Sequence, residues 1–385
     1  MKSKLLFALA IIAAASFAAT PAEMAIKQAV GDIEKQPSYY SHYNVLAMAY
    51  ARRARETADS GLYAKAEEAV RKSFAIAPDN FDGLKVKTFL QLERHEYARA
   101  LDAAAKLNKM VPDDVSVYGY LVDANVGLGS YKEAIEAAQW MLNLRPGNVD
   151  GLIHASYLRE LHGKLAGALE LMQMAYEATS PAETENRAWM LAQTSHLELL
   201  SGDVVKAETY ATAALHAFPD YHFALAALAR VRLAQGRYDE AVNLLRQRYQ
   251  AAPHTENLYQ LAEAEELAGQ HEDAEASFRK FEALSRAESE LPDNSNRELV
   301  AFYADRAKDP AKALEVARRE IARRHDVFTL DSYAWALAAA GDYAEANKQI
   351  QAALAVGVKD PTVLRHADAI GVHLQEQAKD KTARR

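Results

Sequence analysis

The chain has 385 residues, 50% of them hydrophobic and 25% charged, with a net charge of −8. That is ample material for a buried core, and the negative balance argues against nucleic acid as a general partner, because an anionic polymer is repelled on average. Cysteine is absent, which excludes disulfides and a lipid-anchored cysteine and leaves packing as the source of stability.

Residues 1–18 carry Lys2 and Lys4, an apolar run over 5–15 and the small-x-small triplet Ser16-Phe17-Ala18. This is the pattern of a secretory signal peptide cleaved after Ala18. The run falls short of the ~20 residues that span a bilayer, so a retained anchor is the weaker alternative. Cleavage would take the net charge to −10 and leave no stretch able to insert stably in a membrane. Export to a periplasm is expected, with secretion as the other destination.

Residues 22–36 read as a short helix able to cover one end of whatever follows. A unit then recurs, clearest over 115–146. Tyr118, Leu121, Val122 and Asn125 fall on one face of a first helix, and Ala134, Ala138 and Met141 on one face of a second. Gly129 separates them, suited to the left-handed turn that caps a helix, and Pro146 stops the second helix because it has no N–H to donate. Each unit is therefore a helical hairpin. The hairpins fall near 40–78, 81–112, 115–146, 149–180, 186–219, 221–253, 256–287, 295–325 and 327–358. The first carries an insertion around 56–63, the second has His95 where the others have glycine, and the eighth is degenerate. The polar stretch 288–296, with Pro292, is the best candidate for a hinge. A covering helix is expected over 361–377 and a disordered polar tail over 378–385.

Prolines 78, 112, 146, 219 and 253 are spaced by 34, 34, 73 and 34 residues, and glycines 129, 163, 202, 236 and 269 by 34, 39, 34 and 33. In one unit Leu225, Leu228, Ala229, Gly236, Tyr238, Ala241, Leu245 and Pro253 share a pattern with Leu330, Tyr333, Ala334, Leu337, Gly341, Tyr343, Ala346, Ile350 and Ala353 of another. With this period and these residue types the chain resembles the tetratricopeptide repeat (TPR) family over roughly 330 residues. The resemblance implies an all-α fold, a right-handed α-solenoid (superhelix) of about nine TPR helix-turn-helix repeats spanning 19–377, with terminal capping helices. A hairpin can bury one apolar face internally and must lean the other on its neighbour. Constant rotation between alike units then leaves a concave inner wall.

By the same resemblance, the second, fifth, ninth, twelfth and thirteenth positions of each repeat face that wall. The residues there include Phe89, Tyr157, Trp189, His196, Phe223, Arg230, Tyr259, Glu263, Phe302, Asp331 and Trp335, an aromatic and acidic lining that would suit a guest with apolar and basic side chains. The family's clamp for a terminal carboxylate is missing, since Asn44 is followed by Met48 and then Val86. The twelve histidines show no i, i+4 pair and no HExxH context, so no metal or other cofactor is expected. Glu67-Glu68 and Glu265-Glu266 are adjacent, point about 100° apart on a helix and cannot share a substrate atom. The sequence therefore reads as a non-enzymatic scaffold binding a peptide or flexible protein segment, with self-association open to it. The alternative is an accessory of envelope or polysaccharide metabolism that holds a glycan or a partner enzyme.

Small residues at 66, 100, 134, 168, 207, 241, 274, 313 and 346, all alanine, set how closely paired helices approach. Ala241→Leu is accordingly expected to overpack its hairpin and cost ~1–3 kcal/mol in chemical denaturation.

Overall fold

The structure is a computed structural model and describes residues 19–383; the expected signal segment 1–18 lies outside the described residues. The described chain is helical from α1 (Pro21–Lys35) to α20 (Pro361–Ala383). Between them run nine hairpins: α2 (Tyr40–Thr57) with α3 (Gly61–Ile76), α4 (Phe81–Glu93) with α5 (Tyr97–Met110), α6 (Val115–Gly127) with α7 (Tyr131–Leu144), α8 (Val149–Leu161) with α9 (Leu165–Ala178), α10 (Thr184–Leu200) with α11 (Val204–Ala217), α12 (His222–Ala234) with α13 (Tyr238–Ala251), α14 (Thr255–Leu267) with α15 (His271–Glu288), α16 (Asn296–Ala301) with α17 (Pro310–Ile321), and α18 (Val327–Ala339) with α19 (Tyr343–Val356). Consecutive helices pack antiparallel, giving an α-solenoid. All nine spacing alanines have no exposed surface. In two hairpins a serine adds a cross-tie: Ser156 Oγ donates to the Ala168 carbonyl and Ser195 Oγ to that of Ala207, each at 2.7 Å.

Helix starts follow side chains that satisfy orphan backbone donors. Asp114 accepts from Val117 N at 3.1 Å and Asn148 from Gly151 N at 2.7 Å. Ahead of α4 the cap is Asn80, accepting from Gly83 N at 2.8 Å, while Asp79 takes a left-handed φ of 56° in the turn. The insertion in the first hairpin becomes an extra turn of α2. At the start of the solenoid, Thr20 and Glu23 form a reciprocal capping box for α1. Buried Glu56 accepts from the Thr20 hydroxyl at 2.6 Å and pairs with Arg53 at 2.8 Å.

Two expectations need correction. α20 continues through Ala383 instead of ending at 377 before a disordered tail, because no glycine or proline follows Gly371 to stop it. The hinge candidate 288–296 is tied down: Ser295 Oγ donates to Glu288 at 2.7 Å, Asn294 and Asn296 side chains donate to buried Glu320 at 3.0 and 2.7 Å, and Arg323 donates to the Glu290 and Leu291 carbonyls at 2.8 Å. The eighth hairpin's first helix is broken, α16 passing into a π-helical turn at Phe302–Arg306 in which Ala307 N donates to the Phe302 carbonyl at 2.9 Å.

The concave wall is also not an open one, because the superhelix returns on itself. Arg52 pairs with Glu183 and Arg55 with Glu185, both at 2.5 Å, and the Tyr221 hydroxyl donates to the other oxygen of Glu185. His222 Nε2 donates to the Arg55 carbonyl at 2.9 Å, and burial, the main cause, pulls its pKa down to about 4, so the ring is neutral there. Further along, His325 N donates to the Gly127 carbonyl at 3.2 Å and Val327 N to the Tyr131 hydroxyl at 2.8 Å. One apolar cluster joins Val122, Val126 and Leu161 to Val327, Val358 and Val363.

Two turn glycines serve this closure as well as their own φ. A Cβ on Gly129 would meet the His325 carbonyl oxygen at 2.6 Å, and one on Gly163 would collide with that of Gly357, whereas Gly202, Gly236 and Gly269 face open space. The sequence period makes all five look equivalent.

Arg55→Ala would strand Glu185, whose side chain has no exposed surface, beside the Tyr221 hydroxyl. Since Arg55 itself is 41% exposed, a loss of about 1–3 kcal/mol in urea unfolding is expected, together with a larger radius of gyration in solution scattering. Unchanged scattering and stability would contradict closure through this contact.

Candidate functional site

Closure turns the inner wall into a lumen. One cavity, about 580 Å³, lies among α12, α14, the π-helical turn and α20, and Arg230, Tyr259, Glu263, Asp305, Arg306 and Arg365 line it with the apolar side chains of Leu233, Leu245 and Phe278. Of the residues predicted from sequence, this brings together Arg230, Tyr259 and Glu263. The π-helical turn adds Asp305 and Arg306. Arg306 donates to Glu266 and Glu275 at 2.9 Å each and lies 4.1 Å from the Phe278 ring centroid.

The carboxylates of the lumen repel one another. Burial, with the neighbouring charge of Glu298, pushes both Glu256 and Glu263 up to about 7. Neither makes an ion pair among the described residues. Glu263 is exposed by its accessible surface, yet it stands in the cavity with wall residues around it. Arg230 is in the same situation with opposite sign, its pKa lowered by loss of water despite Glu160 and Asp360 nearby.

Other predicted lining residues do different work. Phe302 is buried with its ring about 6 Å from those of Phe278 and Phe281, so it belongs to the core. The Tyr259 ring packs 4.9 Å from Phe281, and the residue is buried. Trp335 donates its indole N–H to Asp305 at 2.9 Å, and His366 stacks on it at 4.1 Å with an interplanar angle of 8°. Asp331 is buried, accepting from His366 Nδ1 at 2.9 Å. Both residues thus fasten α20 to the inner wall, and Asp331 is not free to meet a guest. The physical reason is that α20 continues the solenoid and lays a further layer on α18.

Phe89, Trp189 and Phe223 are half-buried and pack into three separate places along the stack, Phe89 beside Tyr120 at 6.4 Å, Trp189 between the fourth and fifth hairpins, and Phe223 against His222 at 4.1 Å. They do not converge on the cavity. Tyr157 is 38% exposed but crowded from across the lumen, and that loss of water, reinforced by Glu160 and Asp326, holds its phenol well above the usual range. His196 Nε2 meets Glu160 at 3.1 Å.

Reading the sequence missed Arg365, Arg306, Gln260 and His154. For Arg365 a signal existed: it stands 34 residues after Asp331, so the period runs on into the helix taken as a cover. Arg306 had none, since the π-helical turn breaks the register. His154 Nδ1 lies 2.6 Å from the Asp150 carbonyl and Nε2 3.1 Å from Asp123. Burial opposes its charge, but two acceptors on opposite ring nitrogens outweigh it and raise the imidazole to about 9.

Among the described residues no group of three histidine or carboxylate side chains is arranged to hold a metal ion, and no helix is long and apolar enough to cross a membrane. The cavity's chemistry is that of binding, with fixed charges of both signs beside an apolar floor.

The fold defines an α-solenoid of helical hairpins. Residues 198–264 match the tetratricopeptide repeat family. Among solved structures the chain is similar to the APC/C hetero-tetramer Cut9-Hcn1, at 11% identity over 90% of this chain and 58% of that one, with a TM-score of 0.53; it thus spans under two thirds of that relative's length. It is also similar to the human IFIT1 dimer with m7Gppp-AAAA, at 14% identity over 86% of this chain and 85% of that one, TM-score 0.52. No curated protein matches the chain by sequence. At these identities the likeness is one of fold, and together with the repeat match it supports a TPR protein, a class whose fold serves in general as a non-catalytic scaffold for protein partners.

His154 is held charged in the folded chain to about 9 against an ordinary value near 6.5, so its contribution is complete below pH 6.5 and is lost as pH rises toward 9. The stability difference between wild type and His154→Gln is expected to shrink by about 1–3 kcal/mol across that window. Urea titrations at pH 6 and pH 9 measure it; a constant difference would show that the ring is not charged in the fold.

Proposed function

We propose that this protein is an exported, non-enzymatic interaction scaffold whose lumen receives an extended peptide or flexible protein segment bearing a basic residue. The observation that carries the reading is the group Glu256, Glu263 and Glu298. These carboxylates stand close enough to raise two of their pKa values to about 7, with no cation paired to them among the described residues. A lysine or arginine from a guest would relieve that repulsion, and the cavity's apolar floor would hold its neighbours. Export rests on the sequence pattern of residues 1–18, and a periplasm is the preferred destination. The m7Gppp-AAAA named with human IFIT1 is a poor guide to the guest here, because an overall charge of −8 and a carboxylate-lined lumen both oppose a polyanion. The glycan alternative loses weight too, since sugar stacking needs free ring faces and the rings of Phe302, Tyr259 and Trp335 are already packed or stacked.

Arrays of short lysine- and arginine-containing peptides, followed by calorimetry on the best binder, test the reading. Affinity is expected to rise several-fold from pH 6 to pH 8 as Glu256 and Glu263 ionise, and to fall with added salt. Glu298→Gln should flatten the pH profile by lowering both pKa values. Binding indifferent to pH and salt would sink the proposal.

A further inference from the structure

Three donors at the cavity among α12, α14, the π-helical turn and α20 have no acceptor among the described residues. Arg230 and Arg365 line it and make neither an ion pair nor a side-chain hydrogen bond among the described residues. The third donor is less direct. Gln260 lines the same cavity, and its Oε1 accepts from Arg248 Nη1 at 2.5 Å. Because a guanidinium can only donate, the oxygen must face it, and the Gln260 NH₂ has no acceptor among the described residues.

Arg248 is itself 6% exposed and, among the described residues, has no carboxylate within ion-pair distance and keeps a buried Nε with no partner. Burial and the positive charge of Arg230 pull its pKa down to about 10. A second cation is thus held behind Gln260, where it adds positive potential without occupying the cavity. The other cation on the wall is spent, since Arg306 is already saturated by Glu266 and Glu275. Asp305 accepts the Trp335 indole N–H and makes no ion pair with Arg230 or Arg365 among the described residues.

We infer that the guest of this lumen presents a carboxylate side chain to Arg230, Arg365 and the Gln260 amide, next to the basic residue drawn by Glu263 and Glu298, so that the segment bound is one of mixed charge. The inference rests on the reading that the lumen receives a protein segment. A carboxylate fits better than a phosphate group, because Glu263 and Asp305 line the same cavity and would repel a second negative charge. Two guanidinium groups and an amide can supply the charge-assisted bonds a single carboxylate accepts.

The test uses the full chain and three peptides on one apolar frame, acetylated and amidated so that side chains carry the only charges: lysine with glutamate, lysine with glutamine, and glutamate alone, each with the two variable positions placed at several spacings. The best lysine–glutamate peptide is expected to bind about tenfold more tightly than its lysine–glutamine counterpart. In the double variant Arg230→Gln, Arg365→Gln the ratio of the two affinities should fall to about one, with the lysine–glutamine peptide still bound. Both arginines are exposed and unpaired, so the variant should keep its helicity, which circular dichroism checks. Equal affinities for glutamate and glutamine peptides in the wild type would overturn the carboxylate subsite and leave the basic-guest reading standing. An advantage that persists in the double variant would overturn the assignment to these arginines. If no lysine peptide binds at any spacing, both readings fall together.

Discussion

In every hairpin an alanine methyl group, fully buried at the crossing of two helices, sets how close those helices come. The distance matters because a hairpin has two apolar faces and can hide only one of them within itself. Close packing at the alanine directs the second face outward to the next unit, at an angle repeated along the chain. Stacking, curvature and the existence of an inner wall all descend from that contact. A larger side chain at one of these sites would alter the local angle as well as the local packing.

Repeated curvature has a limit that depends on where the coil meets itself. Here it meets itself early, with the first hairpin touching α10 and α12, and the third and fourth touching the loops around α18 and α20. The contacts are chemically diverse: a buried carboxylate shared by an arginine and a tyrosine, a neutral histidine donating to a carbonyl, and backbone hydrogen bonds across loops. Contacts so far apart in sequence convert a stack stabilised by nearest neighbours into one with long-range ties. They also narrow the inner wall into a lumen, and a narrow lumen deprives its charges of water. The raised pKa values of Glu256 and Glu263 and the lowered ones of Arg230 and Arg248 share that cause.

Beside the paired Arg306 and Glu266, the cavity therefore holds charges of both signs that stand near one another without pairing. Unpaired charge in a partly dry place is costly. It is compatible with a stable fold where enough apolar packing surrounds it, as the cluster of Tyr259, Phe278, Phe281 and Phe302 does here. The same packing explains why rings expected to face a guest are withdrawn from it.

What the sequence by itself determined was the part governed by local periodicity: helical hairpins, the alanines between them, the glycine turns, and the α-solenoid that must follow from stacking. It also located Arg230, Tyr259 and Glu263, because their positions in the repeat decide which way they point. Tertiary structure alone decided that the coil closes, that Gly129 and Gly163 must also admit a distant carbonyl, that α20 covers Trp335, and that a π-helical turn brings Arg306 to the cavity. These depend on small inter-repeat rotations summed over many units and on one local break in register. A 34-residue pattern records the average unit, and neither a summed angle nor a single irregular turn is written in an average.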